Sequence, residues 1–223
     1  MPKRKARNKK PPEPLLLNRP VPPDWKSDSN NPEPYRFAPA PEIYEWLQST
    51  ILNESSPMYN PDHEHLVGND ALAFMWAETT FHRHQMQVLA QAELVAIRDG
   101  GWRGLRQESQ LEQWFGVENI PKAIITIAAP PARDLDDRSF CALIEHELYH
   151  LAHKHTHMGP CYDSEGRPVL VMRGHDVEEF FGVARRYGGT QQVCTLVKIA
   201  QSKPELSQLN ISQACGTCLL RSA

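Results

Sequence analysis

His146-Glu147-Leu148-Tyr149-His150 places two histidines four residues apart with a glutamate directly after the first. On an α-helix, residues four apart share a face, so His146 and His150 can offer imidazole nitrogens to one metal ion at roughly 2.0 to 2.1 Å. Glu147 then lies beside that ion, where its carboxylate can take a proton from a water whose pKa zinc lowers to about 7, and deliver it to a leaving amine. The chemistry this spacing allows is hydrolysis. By chance alone the motif would arise in roughly 3% of chains of this composition, so its surroundings decide its weight.

Those surroundings are helical. Phe140, Leu143, Ile144, Leu148 and Leu151 recur at helical spacing and predict a core-facing stripe over Ser139 to Lys154, with the histidines on another side near the small Ala142. Asp136 and Asp137 supply the negative charge and capping oxygens expected at a helix start. Two ligands are one short of the three that a catalytic zinc commonly takes along with water. His153 is about 10.5 Å of helical rise from His146 and is excluded on that geometry. His155 and His157 follow closely, but the long HExxHxxGxxH pattern would need glycine at 153 and histidine at 156, where the chain has His153 and Thr156. His175 is preferred, because it stands after an expected strand and opens a new helix faced by Val177, Phe180, Phe181 and Ala184. Glu178 and Glu179 are carboxylate alternatives. Asp176 or a neighbouring Glu would then accept a hydrogen bond from a ligand imidazole. Arg173, Tyr149 and Tyr187 are available to assist at a developing oxyanion, although Tyr149 also reads as a rim aromatic.

The elements that must position these groups read as α+β. A short helix is expected over Glu42 to Leu52, with Ile43, Trp46 and Leu47 inward. Ala71 to Ala77 and Gln87 to Ile97 are apolar stretches that could pair with each other as strands, separated by the polar Glu78 to Gln85. An amphipathic helix is expected over Gln107 to Phe115, a strand over Ala123 to Ala128 between Pro121 and Pro130, and a strand over Pro168 to Arg173. Thr190 to Gln201 reads as a last helix. Either Ala71 to Ala77 or Ile124 to Ala128 is expected to form a sheet edge near the motif helix, where an extended peptide could add as a strand.

Eleven of the 19 prolines occur by Pro41. Residues 1–40 are therefore expected to be a disordered basic, Pro-rich tail, residues 41–203 the folded domain, and 204–223 a C-terminal tail. Lys3, Arg4, Lys5, Arg7, Lys9 and Lys10 put six positive charges into the first ten residues of a chain with net charge −3, leaving an acidic body. Residues 3–10 could touch nucleic acid or another polyanion, with a solvated terminus as the plainer alternative. No run approaches roughly 18 apolar residues and no apolar segment follows the basic start, so no membrane span is expected and a cytoplasmic location is the default expectation. The five cysteines are an odd number and point to reduced thiols. Cys215 and Cys218 form a CxxC without a second pair nearby, and read as fortuitous. His63, His65, His82 and His84 read as surface residues.

The run from Phe140 to His150, followed by Gly166-Arg-Pro168 and by Arg173-Gly-His-Asp-Val-Glu-Glu-Phe180, resembles the metallopeptidases encoded by bacteriophages and prophages. It is similar, more distantly, to SprT-like zinc proteases. The resemblance covers Glu42 to about Gly188. It implies a zincin-like metallopeptidase domain with a small mixed sheet packed on the HExxH helix. It further implies one catalytic zinc held by His146, His150 and His175, with Glu147 as general base, a protein or peptide substrate, and a bacterial or phage-infected cell. The alternative class is a zinc-stabilised binding or structural protein, attached to nucleic acid through its tail.

Overall fold

The computed structural model describes residues 18–25, 36–68, 71–83, 86–97, 100–118, 120–177 and 190–202. Its architecture is α+β, with a four-stranded mixed sheet of β1 (Phe37–Pro39), β2 (Leu72–Ala77), β5 (Ala90–Leu94) and β6 (Ala123–Ala128). The order is β1-β2-β6-β5. β2 and β6 run parallel, Phe74 opposite Ile125, while β1 and β5 flank them antiparallel.

Period-two alternation sorts the side chains of this sheet onto two faces. Leu72, Phe74 and Trp76 of β2, Ala123, Ile125 and Ile127 of β6, and Ala90 and Ala92 of β5 join the main core. Ala73, Met75 and Ile124 point the other way, to a smaller cluster with Leu111, Trp114 and Phe115 of α2 (Gly101–Phe115). The main core is closed by α1 (Pro41–Ser49), through Ile43, Trp46 and Leu47, and by α4 (Asp137–Tyr149), through Phe140, Leu143, Ile144 and Leu148. A short α3 (Ala129–Asp134) links β6 to α4. Phe140 is fully buried between the rings of Trp46 and Trp76. Phe140→Ala is expected to cost about 3 to 5 kcal/mol of stability, read as a lowered denaturation midpoint at unchanged slope.

Three expectations need correcting. The stretches around Ala71 to Ala77 and Gln87 to Ile97 are both strands, but β6 lies between them and pairs with each. Consequently neither β2 nor β6 is the sheet edge near α4; that strand is β5. Its alanines leave room for the helix to pack closely. Secondly, the motif helix stops at Tyr149 instead of continuing to Lys154. Leu151–His153 becomes β7, paired antiparallel with β10 (Leu170–Met172). Leu151 keeps its place in the core from a strand, so apolar spacing alone mimicked another helical turn. Thirdly, α2 begins six residues before the expected Gln107. Trp102 and Leu105 in its first turns face solvent and leave no amphipathic signature there. Gly116, at φ 87°, ends it in a conformation that glycine adopts without strain.

Within the stretch expected as a tail, residues 18–25 and β1 pack on the body. Arg19 donates to the carbonyls of Ala132, Arg133 and Leu135, pairs with Asp137 at 3.2 Å, and lies 5.0 Å from the Phe140 ring centroid. Trp25 packs against the main core. Residues 3–10, the C-terminal stretch with Cys215 and Cys218, and the expected helix beyond Val177 with Glu178, Glu179 and Tyr187 lie outside the described residues. Small hairpins are formed by β3 (His82–Arg83) with β4 (Met86–Gln87), and by β8 (His155–Thr156) with β9 (Gly159–Pro160). The last helix among the described residues, α5 (Gln191–Gln201), is capped by the Thr190 hydroxyl. No helix among the described residues is long and apolar enough to cross a membrane.

Candidate metal centre

α4 carries the site because its start and its inner face are both locally determined. The Asp136 carboxylate accepts from the backbone N–H groups of Arg138 and Ser139, at 3.0 Å each, and from the Ser139 hydroxyl. The bonds from Ser139 hold the Asp136 carboxyl below its ordinary pKa. At the other end His150 is the C-cap, still in right-handed helical conformation, so the four-residue spacing from His146 survives although the helix ends there.

His146, His150 and His175 come together. Their ligand atoms all lie within 4.8 Å of one another, and the ring centroids form a near-equilateral triangle of 5.1, 5.2 and 5.2 Å. The Nε2 atoms of His146 and His175 are 3.4 Å apart. Two imidazole nitrogens bound tetrahedrally to one zinc at 2.0 to 2.1 Å would stand roughly 3.3 Å apart, so the spacing of this pair fits a shared metal ion. The tautomer of His150 is also set. Its Nδ1 lies 2.8 Å from the carbonyl oxygen of Arg173, which can only accept, so Nδ1 carries a proton and, in the neutral ring, Nε2 is the nitrogen with the lone pair. Among the described residues this is the one group of three or more His, Cys, Asp or Glu that could hold a metal ion.

Glu147 is fully buried, and its Oε2 accepts from the N–H of Ala92 at 2.9 Å. That bond follows from the register of β5. The Leu89 carbonyl accepts from Ala128 N–H and the Val95 N–H donates to the Lys122 carbonyl, so the backbone groups of the odd-numbered residues of β5 face β6 and the N–H of Ala92 points outward toward α4.

The other histidines separate from the trio. His153 is on β7, where its Nε2 donates to the Cys161 carbonyl at 2.8 Å. Helical rise is therefore not what keeps it from the site; strand pairing is. His155 and His157 are exposed and outside the trio. His175 follows β10 as expected, yet Gly174 to Val177 is not helical. Asp176, expected as an acceptor for a ligand imidazole, instead pairs with Arg173, and the acceptor for His150 is a backbone carbonyl.

His63 overturns its reading as a surface residue, being only 1% exposed. It sits on a 3₁₀ turn, Pro61–Leu66, with its ring edge-on to Tyr149 at 4.5 Å and its Nε2 3.9 Å from Glu145. With His65, Tyr149, His153 and Arg173 it lines a cleft of about 390 Å³. Helical or strand periodicity gave no signal here, because a 3₁₀ turn has neither. Burial holds the His63 pKa down at about 4, with His65 adding to the effect and Asp62 opposing it. At His63 the folded protein therefore binds fewer protons than the unfolded protein between pH 4 and about 6.5. The stability contributed by neutral His63 is complete above pH 6.5 and is lost as pH falls toward 4, by up to roughly 3 kcal/mol. Denaturation of wild type and His63→Leu across this range should show a steeper acid loss in the wild type; parallel curves would refute the assignment.

Of the cysteines, Cys141 is buried in the core with its thiol pushed up to about 12 by burial, Cys161 is half-buried and Cys194 is exposed.

Three converging imidazoles on the helix of a buried carboxylate and the loop beyond β10, in an α+β scaffold, form a group that could hold a metal ion. A family model described as "Putative phage metallopeptidase" matches residues 36–201, most of the chain, and the protein belongs to that family. No curated protein and no solved structure matches the chain.

Proposed function

We infer that this protein is a zinc-dependent peptidase that hydrolyses peptide bonds with Glu147 as general base. The observation that carries the reading is the convergence of the His146, His150 and His175 nitrogens within 4.8 Å, with Glu147 on the same helix. Three neutral imidazoles suit zinc, and a three-histidine set leaves a fourth position for water or substrate. When bound, zinc would act as a Lewis acid, polarising the scissile carbonyl and lowering the pKa of water to about 7. Glu147 would take the proton of the attacking water and pass it to the departing amine. The Ala92 N–H holds that carboxylate in one orientation, and the Arg173 carbonyl holds His150 with Nε2 available. Both bonds come from backbone groups, one on β5 and one on the residue just after β10, so the two side chains are oriented by the main chain instead of by side-chain partners.

The scaffold supports a zincin-like arrangement, in which a mixed sheet packs on the motif helix and its edge strand runs beside the site. Here that strand is β5, which touches α4 through Ala92 and Glu147. An extended peptide lying alongside β5 would be recognised by its backbone, which favours a protein substrate over a small ester. The catalytic domain is proposed to span residues 41–203.

The test is cleavage of a panel of denatured proteins. Purified protein containing one zinc per chain should cut them, chelation should stop cleavage, and added zinc should restore it. Cleavage that persists after complete zinc removal would sink the reading.

A further inference from the structure

We propose that Arg173 and Asp176 form a clamp that positions His175 for metal binding, anchored to the motif helix through Tyr149. The inference rests on the metal-site reading above and deepens it, because none of these three residues is a ligand.

His175 faces a positional problem. His146 and His150 are held by a helix, whereas His175 lies on a non-helical segment just beyond β10 and is exposed. Nothing in local secondary structure sets its distance to the other two rings. The chain solves this first at Arg173, whose backbone is locked to His150 twice: its N–H donates to the His150 carbonyl at 2.9 Å, and its own carbonyl accepts from His150 Nδ1 at 2.8 Å. The entry to Gly174-His175 is thereby tied to a ligand. The exit is tied by the ion pair from the Arg173 guanidinium to Asp176, which closes a short loop with His175 inside it.

The guanidinium also lies 6.0 Å from the centroid of the Tyr149 ring. That ring does not float. The Tyr149 hydroxyl donates to Asp62 at 2.8 Å and accepts from Asn60 at 3.1 Å, and the buried His63 abuts it. Tyr149 is the residue before His150, so the loop carrying the third ligand is referenced to the same helix end that carries the second. Arg173 and Asp176 are 44% and 76% exposed, too open for their ion pair to hold the fold together. What such a contact can do is narrow the positions of a four-residue loop before the metal arrives, and loop ordering of this kind is read in affinity.

A guanidinium over an aromatic ring together with an exposed ion pair alters an equilibrium constant by roughly 3- to 30-fold. Arg173→Gln is therefore expected to weaken zinc binding by that factor, measured by competition with a chromophoric chelator. Asp176→Asn should weaken it by up to about fivefold. The double variant should bind no worse than Arg173→Gln alone, since Asp176 acts only through Arg173. Arg173→Lys, which keeps the charge but not the planar group, should recover part of the loss. The visible spectrum of the cobalt-substituted protein should change in Arg173→Gln, while the thermal midpoint of the metal-free protein stays near wild type.

Zinc affinity within twofold of wild type in Arg173→Gln, or losses that simply add in the double variant, would overturn the clamp. Should Arg173→Gln fail to fold, Asp176→Asn decides alone: unchanged affinity there also overturns it. A wild type that binds no zinc would instead sink the metal-site reading itself, so the two failures are distinguishable.

Discussion

Glu147→Gln is expected to lower kcat/KM for peptide hydrolysis by about 10²- to 10⁴-fold while leaving one zinc per chain and an intact fold. The size of the effect follows from what the amide lacks. Gln cannot take a proton from water at neutral pH, yet it has nearly the shape of Glu and still offers a carbonyl oxygen. That oxygen can accept from the Ala92 N–H, so the contact seen for Oε2 is conserved and the stability change should stay within about 1 kcal/mol. Glu147→Ala is the informative contrast. It would leave the Ala92 N–H buried without its acceptor and is expected to destabilise by roughly 1 to 3 kcal/mol as well as removing activity. Measuring both variants separates a chemical role from a packing role: retention of hydrolysis within a few-fold in Glu147→Gln would reduce Glu147 to a structural group.

The second large effect is expected in His175→Ala. Loss of one imidazole from a three-nitrogen set should weaken zinc binding by more than the roughly 10- to 100-fold that follows loss of an outer partner. Stability gives an independent readout. Zinc at about 1,000 times its Kd stabilises a folded protein by roughly 4 kcal/mol, so the thermal midpoint of wild type should fall on chelation while that of His175→Ala barely moves. His146→Ala should behave in the same way. A His175→Ala protein that retains zinc and its chelator-sensitive stability would show that the third donor lies elsewhere, with the carboxylates at 178 and 179 next in line.

Much of the scaffold is written in local patterns. The face of α1 that carries Ile43, Trp46 and Leu47, the strand at Ala123–Ala128 and the capped start of α4 all follow from interactions spanning a few residues. The same is true of the spacing that turns His146 and His150 to one side, since the helical hydrogen bond itself reaches only four residues along the chain. The motif, with the glutamate proposed as its general base, was legible for that reason.

Other features depended on partners far away in sequence. The strand around Ala90–Leu94 has an alternating pattern whichever neighbour it takes, and only assembly of the whole sheet inserts β6 between it and β2. The helix could have run through Leu151 on periodicity; pairing with Leu170–Met172 gave that backbone a different set of partners. His63 looked like any polar residue of a loop until the 3₁₀ turn placed it under Tyr149.

The sequence by itself determined that two imidazoles and a carboxylate share one end of a helix, because that arrangement needs nothing beyond helical geometry. Tertiary structure decided which further residue stands beside them. His175 reaches the pair only after β10 has docked on β7 and Arg173 has locked onto His150, contacts that close loops of about twenty residues. No local propensity encodes where such a loop will end.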